Sequence, residues 1–270
     1  MKRVALSAVL LLAGAVPGLI AQPKPKSTEE YEALKAMFSA QTPDARIAAC
    51  ENVLTKFADT QFKAVALFFE AASYREKRDY EHTLVFGERT LEVDPKHYQA
   101  MLMLAGEIAQ HTKEFDLDKE QKLAQVDKYA HTALDLLKDA PKPNQNMTDD
   151  QWEAAKKDFA ADAHAALGMA AVARKKYDVA ESEYKLAIDT ASRPDPANMV
   201  RLGKAYAEAG SYDEAIAEYD KVMAMPDINV QVRQVAQAER VRAFEKRKAS
   251  KPADAAGANP PPVKPETPKP

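Results

Sequence analysis

Apolar residues recur along most of this chain at intervals of three and four, the spacing of a helix that buries one face. Tyr31, Leu34, Met37 and Phe38 form the first such stripe, opened by Ser27 and Glu30 in the spacing of a capping box. Thr42-Pro43 starts a second helix with Pro at its first position, and Ile47, Cys50, Val53, Leu54 and Phe57 make its buried face. A third helix carries Phe62, Val65, Ala66, Phe69 and Tyr74. Asp79 restarts the chain for a fourth, which Asp94-Pro95 ends. Tyr98 to Ile108 is strongly apolar. A charged stretch from Lys113 to Lys122 follows, longer than a tight turn requires, and leads into a helix with Leu123, Val126, Ala130, Ala133, Leu134 and Leu137. Thr148 and Gln151 have capping-box spacing and open a helix that runs to about Lys175, roughly twice the usual length. Further helices run over 177–190, 197–209 and 211–224, with Asp195 and the pair Ser211 and Glu214 as caps and Gly210 as a stop. A last helix from about Asn229 to Lys248 has no successor and is expected to seal the array with a polar outer face.

Two of these stretches repeat. Leu167-Gly168, Tyr177-Asp178, Ala180, Tyr184 and Ala187 return 35 residues later as Leu202-Gly203, Tyr212-Asp213, Ala215, Tyr219 and Val222. A fixed period of this size marks stacked supersecondary units, none of which buries its apolar face alone. Gly168, Ala180, Gly203 and Ala215 let paired helices approach closely, and Tyr184 and Tyr219 fill the space beside them. The pattern of Leu-Gly and aromatic, then small, aromatic and small, then Pro resembles the tetratricopeptide repeat (TPR) family. It is strongest over 164–226 and weaker over 44–96, where Glu70 stands at the Leu position and Gly87 at the aromatic one, and weaker again over 97–140. The resemblance implies an all-α, TPR-like α-α superhelix, a solenoid of four to five antiparallel helix pairs with a C-terminal sealing helix. It also implies partners held in a concave groove lined by the first helix of each pair. In that register Arg75, Gln99, Asp162, Met169, Lys204 and Glu208 face the groove. The slots that hold a carboxylate clamp in some TPR proteins carry Phe68, Leu102, Ala165 and Val200. An extended or helical peptide on a mildly apolar surface fits them better.

Composition sharpens this picture. The chain has 270 residues, 46% of them hydrophobic and 29% charged, with only 8 Gly. Its formal net charge is −3, so nothing draws it globally to nucleic acid. Lys2-Arg3, the apolar run Val4 to Ala15, Pro17-Gly18 and Ala21 read as a secretory signal over 1–21, cleaved before Gln22, with an uncleaved signal anchor as the alternative. The expected organisation is that signal, an extended spacer over 22–27, the repeat domain over 28–247 and a proline-rich tail over 248–270. This predicts export to a periplasm or beyond the cell, with no stable membrane insertion after cleavage. The single cysteine, Cys50, lies on an apolar stripe and reads as a buried small hydrophobe.

Catalytic signatures do not emerge. The five histidines are not paired at helical spacing. Glu107, His111 and Glu114 share a helix end but read as solvated, and no Gly-rich phosphate loop, Gly-x-Ser-x-Gly or His-Glu-x-x-His occurs. No catalytic residue, metal ligand or cofactor is expected. The basic residues Arg240, Arg242, Lys246, Arg247, Lys248 and Lys251 read as complements to a helix C-terminus, with contact to an anionic envelope surface as the alternative. The expected function is a non-enzymatic scaffold for a protein or peptide, with self-association as a further possibility. The alternative is a protein that binds or processes envelope glycans; such a site wants aromatic platforms, yet Trp152 is the only Trp and reads as packed under the preceding loop, with anchoring of a partner as its other reading.

Overall fold

The computed structural model describes residues 24–143 and 146–250, so the signal, the first two residues of the spacer and the chain from 251 onward lie outside the described residues. All regular structure among the described residues is helical. There are eleven helices among them: α1 (Thr28–Ser39), α2 (Pro43–Lys56), α3 (Lys63–Glu76), α4 (Tyr80–Val93), α5 (Tyr98–His111), α6 (Lys119–Lys138), α7 (Asp149–Ala173), α8 (Tyr177–Thr190), α9 (Pro196–Glu208), α10 (Tyr212–Ala224) and α11 (Val230–Ser250). The chain forms two compact units, up to Asn198 and from Met199, a boundary inside the first turn of α9.

In the first unit each helix packs on its sequence neighbour, and α7 packs on α5, α6 and α8. This succession of helix hairpins is the arrangement of a TPR-like solenoid. One core joins Leu34 and Met37 of α1, Cys50 and Val53 of α2, and Ala66 of α3. A larger one joins Leu104 and Ile108 of α5, Leu123, Val126 and Ala130 of α6, and Ala163, Ala166 and Ala170 of α7. Most of the caps expected from sequence form. Thr42 accepts from the Ala45 N–H, with Pro43 in the first turn, Asp79 accepts from the His82 N–H, and Thr148 and Gln151 make a reciprocal capping box. Two differ. Ser27 accepts from the Glu30 N–H, but Glu30 does not return the bond to Ser27. Its carboxylate turns inward, accepts from the Thr60 hydroxyl and the Lys26 N–H, and is 1% exposed. Ser211 stands at the start of α10 without a side-chain cap bond.

Three hairpins share one turn. Arg78, Lys175 and Gly210 follow their helices with φ of 61°, 60° and 85°, the left-handed region. In each the next N–H reaches back to close the helix: Asp79 to the Tyr74 carbonyl, Lys176 to Ala171 and Ser211 to Tyr206, at 2.9–3.0 Å. This is the Schellman closure, for which glycine is the natural residue. Sequence marks only the copy that holds Gly210. The two copies with Arg78 and Lys175 use residues that rarely adopt this conformation.

The repeated glycines interlock with tyrosines. A Cβ at Gly168 would stand 2.7 Å from the Tyr184 ring, and one at Gly203 would stand 2.6 Å from the Tyr219 ring. Each ring therefore lies directly on the backbone of the partner helix. Burying each aromatic side chain in this way stabilises the hairpin by about 1.5–3 kcal/mol. In the α3/α4 hairpin the arrangement is inverted. The small Gly87 stands at the aromatic position, and the vacated space is filled by Leu104 of α5, whose Cδ2 would lie 2.7 Å from a Cβ at Gly87. The departure from the repeat pattern at Gly87 is thus a socket for the following helix.

The second unit consists of α9, α10 and α11. Ala236 and Ala243, seven residues apart, are buried where α11 packs on α10. Arg240 pairs with Asp220 at 2.6 Å, Arg247 with Asp213, and Lys246 with Glu208 at 3.5 Å. Three of the basic residues expected to complement a helix end thus reach sideways to carboxylates on α9 and α10, while Arg242 pairs with Glu239 of its own helix.

Candidate functional site

In the first unit, the first helices of successive hairpins present a shared face. Arg75 of α3 donates from Nε to Glu107 of α5 at 3.0 Å, and Phe68 of α3 lies against the His97 ring before α5, centroids 4.7 Å apart. Tyr98 of α5 meets Phe159 of α7 edge-on at 5.5 Å. These contacts bring α3, α5 and α7 side by side. Their first-helix positions place Gln99, half-buried, in the first turn of α5, and Asp162 and Met169 two turns apart on α7, the former exposed and the latter half-buried. Arg75 is exposed and oriented by Glu107, whose side chain is only 13% exposed and also lies 3.6 Å from His111. A carboxylate this shielded fixes the guanidinium more firmly than a surface partner does.

The other two candidates lie in the second unit. Lys204 pairs with Glu239 at 3.4 Å and Glu208 with Lys246, so both turn toward α11. The six residues that one sequence register assigns to a single groove are therefore divided between two compact units.

Several features were not legible in sequence. Gly106 sits on α5 one residue before Glu107, and a Cβ there would meet nothing within 4 Å. A helix glycine with open space beside it leaves the backbone accessible on this side of α5. His97 accepts the Ala100 N–H through Nδ1 and so caps α5, and burial lowers its pKa. His164 meets Glu183 at 2.8 Å, joining α7 to α8.

Groups with conceivable chemistry are committed to packing. Cys50 is fully buried, and burial pushes its thiol up to about 12, far from thiolate reactivity at neutral pH. Glu114 pairs with Lys175, and Nδ1 of His111 lies 2.9 Å from its own helix's Glu107 carbonyl. Trp152 is 5% exposed, with Nε1 donating to the Ala140 carbonyl at 3.2 Å. The aromatic platform that a glycan site would use is thus a structural anchor beneath the α6–α7 connection.

The fold is that of a tetratricopeptide-repeat protein. The structure is similar to the crystal structure of a thermophilic TPR protein of Thermus thermophilus, with a TM-score of 0.54 and 16% identity over 78% of this chain and 99% of that one. A second similar structure is an assembly chaperone of RpL4, with a TM-score of 0.40 and 14% identity over 83% of this chain and 97% of that one. No protein-family profile and no characterised protein sequence matches the chain.

Proposed function

We propose that this chain is an exported, non-enzymatic scaffold of the cell envelope that holds a protein or peptide on the shared face of α3, α5 and α7. The observation that carries this reading is the face itself. An oriented but exposed guanidinium at Arg75, open backbone at Gly106, and mixed polar and apolar side chains at Gln99, Asp162 and Met169 stand on helices held by the two cores of the first unit. An extended or helical segment recognised by such a face gains affinity from apolar contact and register from polar groups. The N-terminal Lys2-Arg3 and the apolar run after it support export. Lys204 and Glu208 belong to the same reading as contacts of the second unit.

The test uses the full chain and a partner identified by crosslinking from position 162, then purified. The double variant Asp162→Lys/Met169→Glu is expected to weaken that partner's binding by at least about tenfold in calorimetry; Met169 packs partly on the core, so the melting temperature is expected to fall as well, and binding is read at a temperature where circular dichroism shows the variant folded. Undiminished affinity rules out this face as the binding surface.

A further inference from the structure

α11 packs on α10 through Ala236 and Ala243, and among the described residues no helix follows it. Its outer side carries Val230, Val241 and Phe244, exposed by 67%, 54% and 43%. At the helical repeat these three share one face, with the exposed Gln234 and Gln237 between them. Single exposed apolar residues are ordinary on protein surfaces. An aligned row that includes a phenylalanine, on the last helix of a repeat array, is a face without its covering layer. The charges around it are already paired. Arg240 pairs with Asp220, Arg242 with Glu239, Lys246 with Glu208 and Arg247 with Asp213, and Arg233 donates to the carbonyls of Met223 and Met225. Five of the six basic residues of α11 are thus committed within the second unit, and the Arg247 guanidinium lies over the Phe244 ring at 4.9 Å. A face neutralised in this way gives an anionic surface little to hold and suits an apolar segment without charge.

The geometry points to a cap made by the chain itself: residues 255–263 fold back along α11 and cover Val230, Val241 and Phe244. Charge, tethering and length choose this occupant. Residues 255–263 carry no charge and end in Pro260-Pro261-Pro262-Val263. They follow Ser250, the last residue of α11, after only residues 251–254, so their effective concentration at the face is about millimolar before any affinity is counted. A separate partner has no such advantage. Val230 to Phe244 spans about 21 Å of helix, and residues 255–263 in a polyproline II conformation span about 28 Å. Residues 251–254 reach about 13 Å, enough to reverse direction beyond Ser250. Polyproline II has no internal hydrogen bonds and keeps its carbonyls in water, and proline has no N–H. One flank of such a segment therefore packs on a helix without stranding a backbone donor. This contact belongs to the second unit and stands whether or not the α3/α5/α7 face binds a partner.

The experiment attaches a nitroxide to the isotope-labelled full chain through Pro261→Cys, the native Cys50 being fully buried. Amide peak intensities are compared before and after reduction of the nitroxide. Any tethered label comes near Ser250, so the reading is taken at the far end of α11, over 230–237. The oxidised label is expected to remove at least about half of the intensity there, because a segment at millimolar effective concentration occupies even a millimolar-weak site about half of the time. Phe244→Asp is expected to restore that intensity at least about twofold. Val230→Asp, at the most exposed position of the face, gives the same reading should Phe244→Asp lower the helicity seen by circular dichroism. Full intensity over 230–237 with the oxidised label overturns the proposal, as does broadening that both variants leave in place. So does broadening that passes from a nitroxide-bearing chain without isotope to an isotope-labelled chain without nitroxide, which assigns the face to a second copy.

Discussion

Two residue types at the helix contacts decide more than their size suggests. Gly168 and Gly203 lie under tyrosine rings, whereas Gly106 faces open space. The same substitution therefore has opposite signs. Gly203→Ala is expected to destabilise by about 1–3 kcal/mol, because the Tyr219 ring has to shift within a close-packed core. Gly106→Ala is expected to stabilise by about 0.5–1 kcal/mol by removing backbone freedom from the unfolded chain. Chemical denaturation of the two variants checks both. Glu70 is the second case. It occupies an apolar repeat position, is 1% exposed, and its Oε2 has no hydrogen-bond partner. Burial and the nearby Glu51 of α2 push its pKa up to about 7, with Arg89 and His82 of α4 opposing and Cys50 of α2 also close. Below about pH 4.5 the carboxyl is neutral in both folded and unfolded chains, and its burial carries no charge penalty. As pH rises through about 7 the folded chain has to ionise a buried group, and that stability is lost. Thermal melts from pH 5 to 8 are expected to fall more steeply for wild type than for Glu70→Gln, by an amount on the order of 1–3 kcal/mol.

Individual helices are delimited mostly by local chemistry. The Thr42, Asp79 and Thr148 caps were legible because a short polar side chain three residues before a backbone donor has one economical use. Glu30 was legible only in part. Its spacing fits a capping box, but tertiary packing offers it Thr60, which no local pattern reveals. The Schellman closures show the same division. Gly210 is a recognisable stop, while Arg78 and Lys175 adopt the left-handed conformation because the hairpin geometry demands it. Arg78→Gly is therefore expected to stabilise by about 0.5–1 kcal/mol, read as a higher denaturant midpoint with unchanged slope. A lower midpoint would show that the Arg78 side chain contributes more than its backbone costs.

Across the molecule, stability is expected to concentrate where helices are covered on several sides. α5 has buried residues all around its circumference, from Ala100 through Ala105 and again at Ile108 and Ala109, because α4, α6 and α7 all pack on it. Its amides are expected to exchange slowest in the first unit by hydrogen–deuterium exchange. Those of residues 113–118 should exchange fastest, since their hydrogen bonds lie at the surface. Rapid exchange in α5 would contradict the central core described for that unit.

Periodicity alone determined that this chain is helical, that its helices pair, and that two pairs are copies, because burying one face of a helix imposes a spacing that survives without knowledge of any neighbour. Tertiary structure alone decided which contacts those helices make. It placed Leu104 over Gly87, drew Glu30 and Glu70 inward, divided the six groove candidates between two units, and projected Phe115 and Leu117 into solvent. Each of these depends on what lies opposite a side chain in space, a quantity that the order of residues along one helix does not contain.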